Sequence, residues 1–277
     1  MKNKIHLLII VTLLIFTSIT GTYANNRIIS LIPSSTEMLF ALGFDEEVVA
    51  VSKYCNYPEG KLTNLPRIGD QNLDIERILS LKPTILVDTN GIHKRYEEKF
   101  KKLNLNYVNL EIKNYSDIPI EAARLALMLD NPTKAYEFIE KWNNDISQLQ
   151  KSKENSTVKV YIEIWNNPVQ AVGRDTMINS MIEIAGGNNA LEKQKDYPVV
   201  NTEILMLANP DLIILAYPDA SIEDLKKRPG WKNIKAVKNN NIFKINQDII
   251  VRPGPRNIDA IKEINNYINK VKANENN

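Results

Sequence analysis

Cysteine and histidine are nearly absent from this 277-residue chain, which contains one cysteine and two histidines. Cys55 has no second cysteine to pair with, so an intramolecular disulfide is excluded and a buried free thiol is expected. His6 lies in the apolar N-terminal segment, which leaves His93 as the one histidine of the remaining chain. This composition excludes metal sites built from clusters of cysteine and histidine.

The motifs of common catalytic and nucleotide-binding sites are also missing. The sequence contains no Gly-x-Ser-x-Gly, no Gly-x-Gly-x-x-Gly and no phosphate-binding loop. An enzyme that uses carboxylates alone stays open, with Asp70 and Asp248 as its candidates, but neither has a spaced partner that would assign acid and base roles. An exported structural or adhesive domain is a second alternative.

The N-terminal segment has the pattern of an export signal. Lys2 and Lys4 precede an apolar run over residues 5–19, and the small residues up to Ala24 suit a signal peptidase. We therefore expect residues 1–24 to be a cleaved signal peptide. The run is shorter than the roughly 20 residues that span a bilayer, and no cysteine follows it to carry a lipid anchor.

The charge balance argues against a nucleic acid as partner. The whole chain has a formal net charge of +2. Lys2 and Lys4 account for that excess, so the chain after residue 24 is formally neutral. A neutral chain lacks the electrostatic attraction that nucleic-acid binding requires.

Two sets of β-branched segments alternate with helical segments, which is typical of parallel α/β sheets. In the first set, strands are predicted at residues 27–32, 48–52, 84–88 and 106–110. In the second set, strands are predicted at 158–164, 211–216 and 242–245, and helices at 177–185, around Glu203 and at 256–272. The order predicts an α/β fold with an N-terminal lobe at 27–130 and a C-terminal lobe at 157–273.

One long amphipathic helix is predicted between the lobes, in a connecting region of residues 131–156. Apolar residues keep helical spacing over residues 133–150, with Trp142 near the centre of the stripe. A single helix that crosses between lobes would limit their relative motion.

Ser34 and Glu37 directly follow the first predicted strand and have the spacing of a capping box. This pattern predicts a helix that begins there and runs through Leu42, with Gly43 ending it. Its first backbone N–H groups would face whatever lies beyond the strand ends.

Glu76 and Glu203 lie in two copies of one pattern. Each stands in the first turn of a short predicted helix that stops before a proline, Pro83 or Pro210, and continues into an apolar strand. An acid at this position also complements the helix dipole. The matched pair favours a second role, as two exposed carboxylates that dock onto a partner with two basic pockets.

Several stretches resemble the periplasmic substrate-binding proteins of ABC importers for vitamin B12, haem and ferric siderophores. They are residues 27–37 (Arg-Ile-Ile-Ser-Leu-Ile-Pro-Ser-Ser-Thr-Glu), residues 50–58 (Ala-Val-Ser-Lys-Tyr-Cys-Asn-Tyr-Pro), the segments around Glu76 and Glu203, and residues 252–256 (Arg-Pro-Gly-Pro-Arg). The resemblance implies two Rossmann-like lobes joined by one long helix, with the ligand in the cleft between them. It also implies a monomeric carrier without catalysis, resident cofactor or metal, whose Glu76 and Glu203 dock onto an ABC permease and ATPase complex at the inner membrane.

Within that family the vitamin B12 binders are the closest local match, which implies a cobalamin or another corrinoid as ligand. Flat aromatic side chains suit a corrin ring, which is large and mainly apolar with an amide fringe. Asp70 is a departure, because the subfamily tends to have an aromatic residue there. The resemblance and the helix start together imply these ligand contacts: Ser34, Tyr54, Asp70, Trp165, Tyr197, Asp248, Arg252 and Arg256.

Haem or a ferric siderophore is the alternative ligand. His93, in a loop near the mouth of the predicted cleft, could coordinate haem iron, and Tyr54, Tyr57 or Tyr217 could supply a phenolate. A siderophore with negative charge calls for cationic side chains. Its candidate partners are Arg67, Arg174, Arg252 and Arg256.

Overall fold

The computed structural model describes residues 26–151 and 157–275. The predicted signal peptide, residues 1–24, lies outside the described residues, as does most of the predicted linker after the connecting helix. Among the described residues, no helix combines the length and apolar character needed to cross a membrane.

The first sheet has four parallel strands in the order β2-β1-β3-β4. Their bounds are β1 Ile28–Ser30, β2 Val48–Val51, β3 Ile85–Thr89 and β4 Tyr107–Leu110. Strands β1 and β3 are buried along their whole length, and each begins with an apolar run and ends on polar residues, Ser30 in β1 and Asp88 and Thr89 in β3. All four strands were predicted, with ends that differ by one or two residues.

Four helices accompany this sheet: α1 Pro33–Ala41, α2 Ile75–Ser80, α3 Glu97–Lys102 and α4 Asp117–Met128. The predicted stop of α1 is confirmed, because Leu42 is its C-cap and Gly43 has a φ of 74°. The predicted capping box is wrong. Ile32 is the N-cap and makes no side-chain cap bond, while Pro33 takes the first helical position, where its missing N–H costs nothing.

The connecting helix α5 runs unbroken over Pro132–Lys151, as predicted. Trp142 is buried on it and stacks on Phe138, with ring centroids 5.8 Å apart, and on Tyr115 of the first lobe at 4.9 Å. Lys262 donates to Asp145 of α5 at 2.9 Å, which ties this helix to the last helix of the chain. The apolar stripe therefore buries its face against the lobes and leaves polar residues outside.

The second sheet contains five strands: β5 Lys159–Asn166, β6 Val169–Ala171, β7 Asn188–Asn189, β8 Leu212–Leu215 and β9 Ile242–Lys244. Its order is β6-β5-β8-β9, and β7 also pairs with β5. All pairs are parallel except β5 with β6, a hairpin that the sequence pattern did not reveal. Six α-helices of the described residues accompany this sheet: α6 Met177–Ile184, α7 Thr202–Ala208, α8 Ile222–Lys227, α9 Lys235–Lys238, α10 Gln247–Val251 and α11 Asn257–Glu275.

Candidate functional site

Four of the predicted site residues lie at or after the carboxyl ends of strands, which is where open α/β sheets bind their ligands. Ser34 follows β1 and Tyr54 follows β2, while Trp165 lies at the end of β5 and Asp248 follows β9. Hydrogen bonds between these segments bring the carboxyl edges of the two sheets together. We call the space between these edges the cleft.

Five polar side chains from both lobes form one network, the interlobe cluster: Glu37, Asn56, Asp248, Arg252 and Arg256. Arg252 Nη1 donates to Asn56 Oδ1 at 2.7 Å and to Glu37 Oε1 at 3.1 Å, and its Nη2 pairs with Asp248 Oδ1 at 2.9 Å. Arg256 Nη1 donates to the same Glu37 oxygen at 3.1 Å, and Asn56 Nδ2 donates to Asp248 Oδ2 at 2.8 Å. Two arginines are thus balanced by two carboxylates.

Glu37 is the centre of this cluster and was not among the predicted site residues. Its side chain is buried, and burial raises the pKa of the carboxyl while Arg256 and Arg252 act to lower it. Its Oε2 atom has no hydrogen-bond partner within the described residues. Arg256 also stacks over Tyr57, with Cζ 3.9 Å from the ring centroid.

Ser34 and Asp70 have different surroundings. Ser34 is buried at the lobe junction, where a Cβ on Gly254 would lie 3.9 Å from the Ser34 carbonyl oxygen. Asp70 pairs with Lys53, and the hydrogen bond from Lys53 holds the pKa of its carboxyl below the usual value. A carboxylate that is already paired offers a ligand less than a free one does.

The aromatic side chains predicted to line the cleft are open to solvent. Tyr54 is 58% exposed, Trp165 46% and Tyr197 44%, so their ring faces are accessible to a ligand. The indole Nε1 of Trp165 donates to the Asn167 carbonyl at 2.9 Å and so fixes the ring. Three exposed apolar residues lie within two positions of predicted ones in the chain and were missed, because a single exposed apolar residue carries no periodic signal: Ile92, Val199 and Val251.

The structure argues against the alternative in which His93, near the mouth of the cleft, coordinates haem iron. The imidazole is buried, with Nδ1 3.3 Å from Asp88 Oδ1 and Nε2 2.9 Å from the Asp70 carbonyl oxygen. Both ring nitrogens are therefore engaged within the protein. Across residues 26–151 and 157–275, no group of three or more histidine, cysteine, aspartate or glutamate side chains is arranged to hold a metal ion.

Three other residues named for the haem and siderophore alternatives also have partners or are buried within the fold. Tyr217 is buried, and burial raises the pKa of its hydroxyl to about 12, which disfavours a phenolate. Arg67 donates to the carbonyl oxygens of Ser52, Cys55 and Leu62 at 2.8–3.1 Å, so it serves the loop after β2. Arg174 keeps an exposed pair with Asp175 at 3.1 Å.

A second buried charge pair lies at the carboxyl end of β5. Glu163 is fully buried and accepts two hydrogen bonds from Arg228, at 2.7 and 2.8 Å. Tyr161 donates to the same carboxylate at 3.2 Å, and Arg228 Cζ lies 4.5 Å from the Trp231 ring centroid. Sequence analysis missed this pair, since its members are 65 residues apart.

Glu76 and Glu203 have matched local structures. Asp74 caps α2 by accepting the Arg77 N–H at 2.9 Å, and Asn201 caps α7 by accepting the Ile204 N–H at 2.9 Å. Each glutamate is therefore the second residue of its helix, and both are exposed. Among the described residues, neither carboxylate has a hydrogen bond or an ion pair.

Comparison with known proteins agrees with this architecture. Residues 28–249 match the family model described as periplasmic binding protein. An uncharacterised ABC transporter substrate-binding lipoprotein of Bacillus subtilis is 25% identical over 81% of this chain and 74% of its own length. The vitamin B12-binding protein of Vibrio parahaemolyticus is 28% identical over 90% of this chain and 91% of its own.

A solved structure extends the agreement to three dimensions. The crystal structure of a possible iron-binding (periplasmic solute-binding) protein from Staphylococcus epidermidis superposes with a TM-score of 0.79. It is 26% identical, and the match covers 88% of this chain and 98% of that one. The predicted fold class, two Rossmann-like α/β lobes joined by one long helix, is thereby confirmed.

Proposed function

Because the chain belongs to the periplasmic binding protein family, the substrate-binding components of ABC importers, we propose that it binds a cobalamin or a related corrinoid in its cleft and delivers it to a membrane permease. The family and the relatives establish the coarser part: the chain is a transport component for vitamin B12 or for haem or iron complexes, it acts in the periplasm or outside the cell, and it is not an enzyme. The corrinoid is the finer proposal.

The observation that supports a corrinoid is the contrast between exposed rings and compensated charges. Tyr54 on one side and Trp165 and Tyr197 on the other offer flat apolar faces. The cleft arginines, Arg252 and Arg256, are already paired with carboxylates. A large ligand with an apolar ring face and a neutral amide fringe fits such a cleft, whereas a polyanionic chelate would have to displace protein carboxylates.

The remaining predicted contacts are part of this proposal. Asp248, Arg252 and Asp70 would meet the amide fringe of the ligand, with Ser34 and Arg256 at the floor of the cleft. The lobes at 27–130 and 157–273 would act as two units on the connecting helix, with little closure. Residues 1–24 would direct export and be cleaved.

Replacing Trp165 with alanine is expected to weaken cyanocobalamin binding about tenfold to a hundredfold, because it removes stacking area worth about 1–3 kcal/mol. Tyr136→Ala is the control, since Tyr136 is an exposed aromatic residue on the connecting helix, 67% accessible to solvent against 46% for Trp165. Titration of each purified protein, followed by the absorption spectrum, measures both. Unchanged affinity in a folded Trp165→Ala protein would contradict the corrinoid proposal for this residue.

Haem is the second candidate ligand, and one contact favours it. Tyr54 is exposed, with Lys53 Nζ 5.1 Å from its ring centroid, and a tyrosine oxygen is one of the axial ligands that haem iron accepts. Under the corrinoid proposal, haemin should bind at least about tenfold more weakly than cyanocobalamin. Tight haemin binding with a phenolate-to-iron absorption band that disappears in Tyr54→Phe would reverse this assignment.

A further inference from the structure

The interlobe cluster contains a balance of charge that bears on ligand choice. Arg252 and Arg256 contribute two positive charges at the floor of the cleft, and Glu37 and Asp248 contribute two negative ones. Glu37 comes from the N-terminal lobe and both arginines from the C-terminal lobe, so the neutralising charge crosses the lobe boundary. The local sum is zero only while Glu37 is ionised.

Glu37 is also placed so that a solute cannot easily replace it. Its carboxylate is buried, and it holds both guanidinium groups through a single oxygen, Oε1. The arginine side chains keep 17% and 14% of their surface exposed, so their positive charge would reach the cleft if the carboxylate were absent.

We propose that Glu37 is a specificity-determining residue that makes the cleft reject anionic ligands by neutralising Arg252 and Arg256. This inference rests on the proposed use of the cleft as the ligand site and deepens it. In this arrangement the carboxylates compensate the positive charges of both arginines. A neutral ring system then binds without competing for the guanidinium groups. A polyanion meets two buried or half-buried carboxylates and gains little from guanidinium groups that are already paired.

The proposal predicts a gain of binding, which a purely structural role would not produce. Glu37→Gln keeps the size of the side chain and one acceptor oxygen but removes one negative charge. It should raise the affinity for a trianionic ferric tris-catecholate complex about tenfold or more, because a unit charge at a partly buried site interacts strongly with an adjacent trianion. The gain should shrink as salt rises. Equilibrium dialysis against the complex, with bound iron as readout, measures it.

Glu140→Gln is the matched control, since Glu140 is an exposed acid on the connecting helix and its loss changes the net charge by the same amount. It should leave the affinity for the ferric complex at the wild-type value. Asp248→Asn provides a second test on a more exposed carboxylate, which decides the matter if Glu37→Gln does not fold. A gain in Glu37→Gln, or in Asp248→Asn where Glu37→Gln does not fold, with none in the control, supports the proposal.

Equal affinities in the wild type and in a folded Glu37→Gln protein, or the same gain in Glu140→Gln, would overturn the proposal. If Glu37→Gln does not fold, equal affinities in the wild type and in Asp248→Asn would overturn it. The corrinoid proposal stands or falls separately, on the titration of the wild-type protein with cyanocobalamin. If the wild type does not bind cyanocobalamin, the corrinoid proposal is contradicted. The ratio of the affinities of variant and wild type for the ferric complex still tests the role of Glu37.

Discussion

An Arg228→Met protein is expected to lose about 3 kcal/mol of its free energy of unfolding, because the substitution leaves the Glu163 carboxylate buried without its cation. Glu163 is fully buried and takes both of its charged hydrogen bonds from this arginine, at 2.7 and 2.8 Å. We expect the lower end of the range for broken buried pairs, since 21% of the Arg228 side chain remains exposed. Urea unfolding followed by circular dichroism measures the loss.

Two further variants separate the buried charge from general effects of losing an arginine. Arg174→Met removes an exposed arginine paired with Asp175 at 3.1 Å and should change the free energy of unfolding by less than about 1 kcal/mol. The double variant Glu163→Gln with Arg228→Met should be more stable than Arg228→Met alone, because no uncompensated charge remains. If Arg228→Met costs no more than Arg174→Met, the buried pair does not stabilise the C-terminal lobe as argued.

The parts of the fold that were predicted correctly depend on local patterns. Strand β8 is buried along its whole length and consists of apolar residues alone, so the sequence shows an uninterrupted apolar run. The connecting helix buries one face, so its apolar residues recur with helical period. The β5–β6 hairpin was missed because its turn, Asn167-Pro168, is not a typical two-residue hairpin signal.

The parts of the site that were missed depend on partners far apart in the chain. Glu37 had the spacing of a capping residue, and its actual partner, Arg252, lies 215 positions away. His93 had the local pattern of an exposed loop residue, but Asp88 and the Asp70 carbonyl supply hydrogen-bond partners that allow its burial. Periodicity reports which face of an element is buried, and it carries no information about which distant charge neutralises another.

Replacing both Glu76 and Glu203 with alanine is expected to nearly abolish uptake through the cognate permease while ligand affinity stays unchanged. Both carboxylates are exposed and stand at the same position of matched Asx-capped helices, one in each lobe. A charge-assisted contact of each glutamate with an arginine would contribute about 1–3 kcal/mol to the docked complex. The two contributions should add, because the glutamates lie in different lobes and share no partner. Each single substitution should therefore lower uptake, and raised salt should weaken docking of the wild type.

The competing explanation is that both glutamates merely complement helix dipoles, and matched acids elsewhere distinguish the two. Glu98 and Glu223 are also exposed acids in the first turn of a helix, one in each lobe. Their double alanine variant should lose a similar few tenths to about 1 kcal/mol of stability per site and keep normal uptake. Lysine at positions 76 and 203 should lower uptake further than alanine, because like charges would then face each other. Normal uptake by the Glu76→Ala, Glu203→Ala protein would contradict the docking role. Both glutamates would then only complement their helix dipoles, an effect that involves no permease.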